Sequence, residues 1–346
     1  MSTQTSGRLL VRAAGPGVTI QDAGRCGSLR FGVTPAGPMD ERAFIAANQA
    51  VGAPRGAAAI EVSLGGVELV TSGETIGLAI AGGDFDIRLD GARLPCACAL
   101  PLEPGASLTI RAGRSGSWCY VAVAGRIDLP PALGSLATHT RSGMGGLEGR
   151  GLRAGDALPL AGLAPPRGPL AIDAPWLAAS GAPIRVLLGP QADYFTHEAI
   201  DEFLSARWRL SPRSDRMAYR LEGPRLSHAK GHDIVSDGVA LGAIQVPGDG
   251  APLVLMADRQ PTGGYPKIAN VIGADIGRLA QTRPGEEISF VAVSIEEAVA
   301  ARRALAEAIA AGVRLRPQGG ELSTELLLSA NLIGGVADAY GSLEPE

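Results

Sequence analysis

Apolar residues in this chain come in short runs. Ile-Arg-Val-Leu-Leu at 184–188 and Leu-Val-Leu-Met at 253–256 are typical, each entered from a proline. Runs of this length between turn residues predict the strands of a sandwich or barrel. Glycine (48 residues) and proline (25) are frequent enough to supply the turns. Helical periodicity is confined to a few stretches. Residues 39–51 place Asp40, Ala43, Phe44, Ala47 and Ala50 at helical spacing and stop at Gly52. Ser294 with Glu297 three positions on makes a capping box, predicting a helix that runs to Gly312. A third, shorter helix is expected over 322–332.

At 346 residues the chain is about twice a usual domain of roughly 150 residues. Pro165, Pro166, Pro169, Pro175 and Pro183 crowd one aperiodic segment near the middle, which predicts a linker over 164–183. The expected organisation is a β domain over 1–163, a second over 184–294, and a helical tail over 295–346. No short repeat is present, which excludes solenoids and propellers.

Charge and composition then narrow the chemistry. A net charge of −4 lacks the cationic footprint of a nucleic-acid binder. No run approaches the ~18 apolar residues that span a bilayer, and the first residues lack an apolar signal core, so a soluble cytoplasmic protein is expected. Cys26, Cys96, Cys98 and Cys119 are expected to be reduced, with no second ligand pair to make Cys96 and Cys98 a metal site. Gly231 interrupts His228 and His232, so no metal is expected there either. No Walker loop and no G-x-S-x-G elbow occur. Only two of the 31 basic residues are lysine, Lys230 and Lys267. Neither sits between methionines as a biotinyl-lysine does, so no covalent biotin is expected on this chain.

Three constellations carry candidate chemistry. In the first, Gly- and Pro-rich loops over 15–40 surround Gln21, Asp22 and Arg25, which either reach one cleft or brace tight turns, with Asp22 and Arg25 paired. In the second, Ser214-Asp215-Arg216-Met217 offers the rigid fork of Arg216 to a carboxylate or phosphate, oriented by Asp215, or else an internal ion pair. The third is the richest. Ser236-Asp237, Gln245 and the loop 258–270 bring together Asp258, Thr262, Gly263, Gly264, Tyr265 and Lys267. Thr262 to Gly264 could present backbone amides to an anion or carbonyl, Lys267 supplies charge, Tyr265 a hydroxyl, and Asp258 a base or the partner of the lysine.

Taken in order, these segments resemble the biotin-dependent carboxyltransferase or allophanate hydrolase subunit 2 family, which includes the C-type subunit of bacterial ATP-dependent 5-oxoprolinase. The likeness rests on Thr19-Ile20-Gln21-Asp22, Gly37-Pro38-Met39-Asp40, Glu61-Val62-Ser63, Leu133-Gly134-Ser135, Gly145-Gly146 to Gly149-Arg150, Gly189-Pro190-Gln191, Ser214 to Met217 and the 258–269 loop. The resemblance implies a mostly-β fold of two cyclophilin-like β-barrel domains with a few short helices. It also implies action within a heteromeric complex, with a subunit 1 partner, of the 5-oxoprolinase B type, and a third lactam-utilisation protein. There, 5-oxoproline, ATP and water would give glutamate, ADP and phosphate, with ATP bound by the complex. Other members move carboxyl from carboxybiotin to urea, and others act as regulators. The sequence departs from the family pattern at Pro261, Ala218 and Arg126; Pro261 removes one backbone donor beside the candidate amides.

Overall fold

The computed structural model describes residues 6–165, 168–178 and 180–317. Its strands form a twelve-stranded sheet, an eight-stranded sheet and a two-stranded ribbon. The first sheet is organised by two long strands, Ile76–Leu89 and Ser107–Val123, paired antiparallel from Leu78↔Val123 to Leu89↔Leu108. The other edge of Ser107–Val123 forks. Its first residues pair with Val67–Ser72 and its last with Ala59–Val62, so the sheet curls around a core. Alternation decides what each face meets. Leu78, Ile80, Cys119 and Val121 point into that core with Leu9, Ile60, Leu69 and Leu158. Ala81, Tyr120 and Ala122 point the other way, to the helix α1 (Glu41–Ala50) and its Ala43, Ala46 and Ala47. Small residues on both surfaces let helix and sheet approach closely.

The second sheet contains Trp208–Leu210, Ala218–Glu222, Leu253–Leu255, Ala243–Gln245, Lys267–Val271 and Ile184–Leu188 in that spatial order, between Glu287–Ile288 and Phe290–Ala292 at its edges. Val186, Phe203, Trp208, Leu221, Ile244, Val254 and Ile268 fill its core. Met39, Phe44 and Tyr120 of the first half belong to that same cluster, so the two halves share apolar contact. Polar groups stitch the seam. The Trp118 indole N–H donates to the Tyr219 hydroxyl (2.9 Å), which donates to the Ala280 carbonyl (2.7 Å). Gln281 accepts from the Ser117 and Trp118 amides and donates to Asp40.

Two of the three expected helices lie within the described residues, and both form. The side chain of Asp40 caps α1 through the amides of Arg42 and Ala43. The capping box at Ser294 and Glu297 opens the last described helix, Ile295–Ala310. Two helices were not expected from the sequence: α2, His197–Ser205, and α3, Ile276–Ala280. With only five residues, α3 is too short to show a helical period. The helix expected over 322–332 lies outside the described residues.

The proline-rich segment is more structured than a linker. Leu170–Asp173 is a strand that pairs with Cys98–Leu102 of the first sheet and with Arg314–Pro317. The chain after 295 therefore includes a strand as well as a helix. Its helix, α4 (Ile295–Ala310), touches α1 through Gln49 Nε2, which donates to the Ile309 carbonyl (2.9 Å), before the strand returns to the first half.

Candidate functional site

The Glu61-Val62 strand and the Arg216 turn meet on the seam. Arg216 donates through Nε and Nη2 to both oxygens of Asp258 (3.0 and 2.8 Å), through Nη1 to Glu61, and through Nη2 to the Gly37 carbonyl (2.7 Å). The guanidinium thus ties the Gly37–Met39 loop and Glu61 of one half to Asp258 of the other. Glu61 is fully buried and also accepts from the Met39 amide (2.9 Å) and the Tyr120 hydroxyl (2.8 Å). Burial lifts its carboxyl above the ordinary range, opposed by Arg216 and these two donors. Burial likewise works against the Arg216 charge, but Glu61 and Asp258 outweigh it and keep the guanidinium ionised.

This geometry corrects several expectations. The Arg216 fork has no free edge to offer a ligand. Asp215 does not orient it; Asp215 caps its own turn through the Met217 and Ala218 amides and pairs with Arg141. Asp258, held on both oxygens, is neither a free base nor the partner of Lys267. The reason is topological. Residues far apart in sequence, 61 and 216, converge only when the two sheets dock.

Gln21, Asp22 and Arg25 do not open into a cleft, and Asp22 and Arg25 do not pair. All three fasten the segment 132–138. Gln21 Nε2 donates to the Thr138 carbonyl (3.0 Å), and its oxygen accepts from the Gly37 amide (3.1 Å). Asp22 accepts from the Ser135 hydroxyl and the Leu136 amide, both at 2.6 Å. Arg25, 1% exposed, donates to the Ala132 and Ala137 carbonyls (3.1 and 2.7 Å), while its Nη1 has no acceptor among the described residues. Desolvation lowers its pKa, against the attraction of Asp22 and Asp258.

A second cluster forms around Lys267. This lysine is 3% exposed, yet its Nζ donates to Asp237 (3.0 Å), whose side chain is about half exposed at 54%. The Lys267 hydrogen bond holds the Asp237 carboxyl below its usual range. Gln245, buried, donates to the Tyr265 carbonyl (3.3 Å), and the Tyr265 side chain is exposed. Ser236 is exposed on the same segment. Thr262–Gly263 pairs as a two-residue strand with Asp237–Gly238, and neither Gly263 nor Gly264 takes a left-handed φ. Thr262 and Gly263 thus belong to a ribbon, with Gly264 in the bend that follows, and the three do not have the left-handed backbone of the nest expected of them. Gly263 is needed because a Cβ there would lie 2.5 Å from Gln245 Nε2. Pro261 contributes only its carbonyl, which accepts from the Val239 amide (3.0 Å). Arg259 Nε donates to the carbonyl of that same Val239 (3.1 Å), so the ribbon is clamped on both sides.

Sequence reasoning did not single out Glu61 and Tyr120 as members of the Arg216 cluster, because both sit in strand segments buried throughout, which read as core. A cleft of about 390 Å³ elsewhere on the seam is lined by Asp40, Arg42, Arg278, Gln281 and Glu287, and none of the sequence-derived site residues borders it. Among the described residues no three His, Cys, Asp or Glu side chains gather to hold a metal ion. No described helix is long and apolar enough to cross a membrane.

The family model for the carboxyltransferase domain, subdomain A and B, matches residues 31–292. The chain is 40% identical over 296 residues to the C-type subunit of 5-oxoprolinase from Escherichia coli (strain K12), covering 85% of this chain and 94% of that one. It is 35% identical to urea amidolyase of Saccharomyces cerevisiae over 82% of this chain but 16% of the enzyme. The crystal structure of the K. lactis urea amidolyase superposes with a TM-score of 0.81 at 30% identity, over 87% of this chain and 20% of that one. Domain match, near full-length identity and shared fold agree: this chain belongs to the carboxyltransferase domain family, subdomains A and B.

Proposed function

We propose that the chain is a C-type subunit of an ATP-dependent 5-oxoprolinase, opening the lactam 5-oxoproline to glutamate with partner proteins in the cytoplasm. One observation carries this reading. The chain is 40% identical to the Escherichia coli 5-oxoprolinase component over 94% of that protein, against 35% identity to the yeast urea amidolyase over 16% of that one. The partners expected are a subunit 1 protein, of the 5-oxoprolinase B type, and a third lactam-utilisation protein.

An unstrained amide is a poor electrophile, and transfer of phosphate from ATP to its oxygen makes the ring carbon attackable. The chain has no Walker loop, so ATP binding is assigned to the complex. Among the sequence-derived groups, Lys267 is the one suited to developing negative charge. Its one carboxylate partner among the described residues, Asp237, is half exposed and free to turn into solvent when an anionic oxygen takes its place. Arg216 holds the two halves in register so that the 258–267 segment is presented correctly, a positioning role. Tyr265, exposed beside Lys267, is left to contact substrate or partner.

The test is reconstitution with the two partner proteins. Release of ADP dependent on 5-oxoproline is expected, and its absence from the complete set would reject the reading. A second reading, carboxyl transfer to urea, is favoured by the likeness to urea amidolyases; avidin sensitivity and urea dependence would select it. In that case biotin would arrive on another chain. Supporting this, Lys267 is buried on Asp237, and Lys230 is held by Asp193 in an Ala-Lys-Gly setting.

A further inference from the structure

Ring opening moves a proton, and the carboxylates nearest the seam are committed. Asp258 has both oxygens on Arg216, Asp237 is bonded to Lys267, and Glu61 is fully buried beneath three donors. His139 is a further titratable group at the seam, placed there by two anchors. On one side Thr138 is fixed by Gln21 and by its own amide and hydroxyl, both donating to the Ile20 carbonyl (2.9 and 2.8 Å). On the other, Arg141 crosses to the second half and donates to Asp215 (3.0 Å), the neighbour of Arg216. Between them, the His139 amide donates to the Met144 carbonyl (2.8 Å) and the Met144 amide returns to the His139 carbonyl (3.2 Å). Gly145 closes this turn with a left-handed φ of 75°, and a Cβ there would meet the Ala137 carbonyl at 2.0 Å.

The imidazole is half buried, and its Nδ1 lies 2.6 Å from the Ser142 hydroxyl. Nε2 has no hydrogen-bond partner among the described residues. We propose that His139 is the proton-transfer residue of this seam, an inference that rests on the lactam-hydrolysis reading. As a water oxygen bonds to the activated ring carbon, one of its protons passes to Nε2. When the C–N bond breaks with its electron pair on nitrogen, that proton passes to the nitrogen and the imidazole is again neutral. The remaining hydroxyl proton goes to solvent as the C=O bond forms, and a second water hydrolyses the resulting acyl phosphate to glutamate and phosphate. The surroundings suit the role. Burial lowers the imidazole pKa, Asp258 opposes this, and Arg216, Arg25 and Arg141 lower it further, so the ring is a neutral base near pH 7.

The experiment compares His139→Gln with wild type in the reconstituted complex. A fall in kcat of about 10²–10⁴ is expected, with KM within about threefold. The acidic limb of the pH–rate profile should disappear, and added imidazole should restore part of the rate. His197→Gln, at the exposed start of α2, serves as the control and should match wild type. A His139→Gln complex with wild-type kcat and an unchanged acidic limb overturns the proposal. Should His139→Gln fail to fold, His139→Asn is read by the same criteria.

If wild type itself releases no ADP with 5-oxoproline, the lactam reading has failed. The histidine is then judged by NMR titration of the full chain. The seam assignment requires His139 to titrate below 6.5 and to move upward in Arg141→Gln; titration at or above that value overturns it.

Discussion

Two cations, Arg216 and Lys267, sit on neighbouring parts of this molecule, both paired with carboxylates and both largely out of water. Their partners differ. Arg216 faces Glu61 and Asp258, themselves buried, and a backbone carbonyl completes its shell. Lys267 faces Asp237, which is half in solvent. A buried cation between buried anions is fixed, because moving any member leaves an uncompensated charge. A buried cation held by a half-exposed anion can trade it for another anion, because the outgoing carboxylate is rehydrated while the cation stays paired. One region therefore fastens the halves, and the other is where we propose that an anionic group of the substrate is met.

The sharpest way to break this comparison is Arg216→Met. It strands Glu61 and Asp258 without their cation, and a loss of about 3–5 kcal/mol is expected, read as a lowered denaturation midpoint in urea. A midpoint unchanged from wild type would mean that the seam is not held this way. Lys267→Met should show the opposite pattern. The reconstituted activity is expected to fall about 10²–10³-fold, while the denaturation midpoint moves much less than in Arg216→Met. Loss of stability without loss of rate would exchange the two roles.

Smaller changes sharpen the same contrast. Tyr219→Phe removes the hydroxyl between the Trp118 indole and the Ala280 carbonyl, and should cost about 1–3 kcal/mol in the same unfolding assay, with KM unaffected. Asp237→Asn should change the rate by less than about tenfold. It should also remove a pH dependence. Because Lys267 holds this carboxyl below its ordinary 3.8, the native state binds fewer protons there than the unfolded chain. The stabilisation is present above 3.8 and is lost as pH falls through the lower native value. The acid limb of stability against pH should be shallower in Asp237→Asn.

Much of the architecture was legible from local pattern. Short apolar runs gave strands at Ile184–Leu188 and Leu253–Leu255, helical spacing gave the helix within 39–51, and Ser294 marked the start of another. The strand at Leu170–Asp173 was not legible, since its pairing partners lie at 98 and 317 and its own sequence is broken by prolines. The candidate site was legible by composition and misjudged in its pairings. Asp258 and Lys267 are nine residues apart in one loop and looked like partners, but the strand Lys267–Val271 carries the lysine away toward Asp237. Thr262 to Gly264 looked like an anion cradle because glycines permit one, whereas pairing with Asp237–Gly238 holds Thr262 and Gly263 extended.

The sequence by itself determined what repeats locally: a mostly-β chain, its caps and turns, and the residue types that could do chemistry. Propensity, periodicity and capping act over a few residues and need no partner at a distance. Tertiary structure alone decided which charges meet. Glu61 and Arg216 are 155 residues apart, and desolvation acts on them only once both sheets have closed over them. The burial that turns Arg216 into a fastener is a property of the docked halves and of no segment alone, whereas the Lys267–Asp237 pair is made inside the second half by segments 30 residues apart.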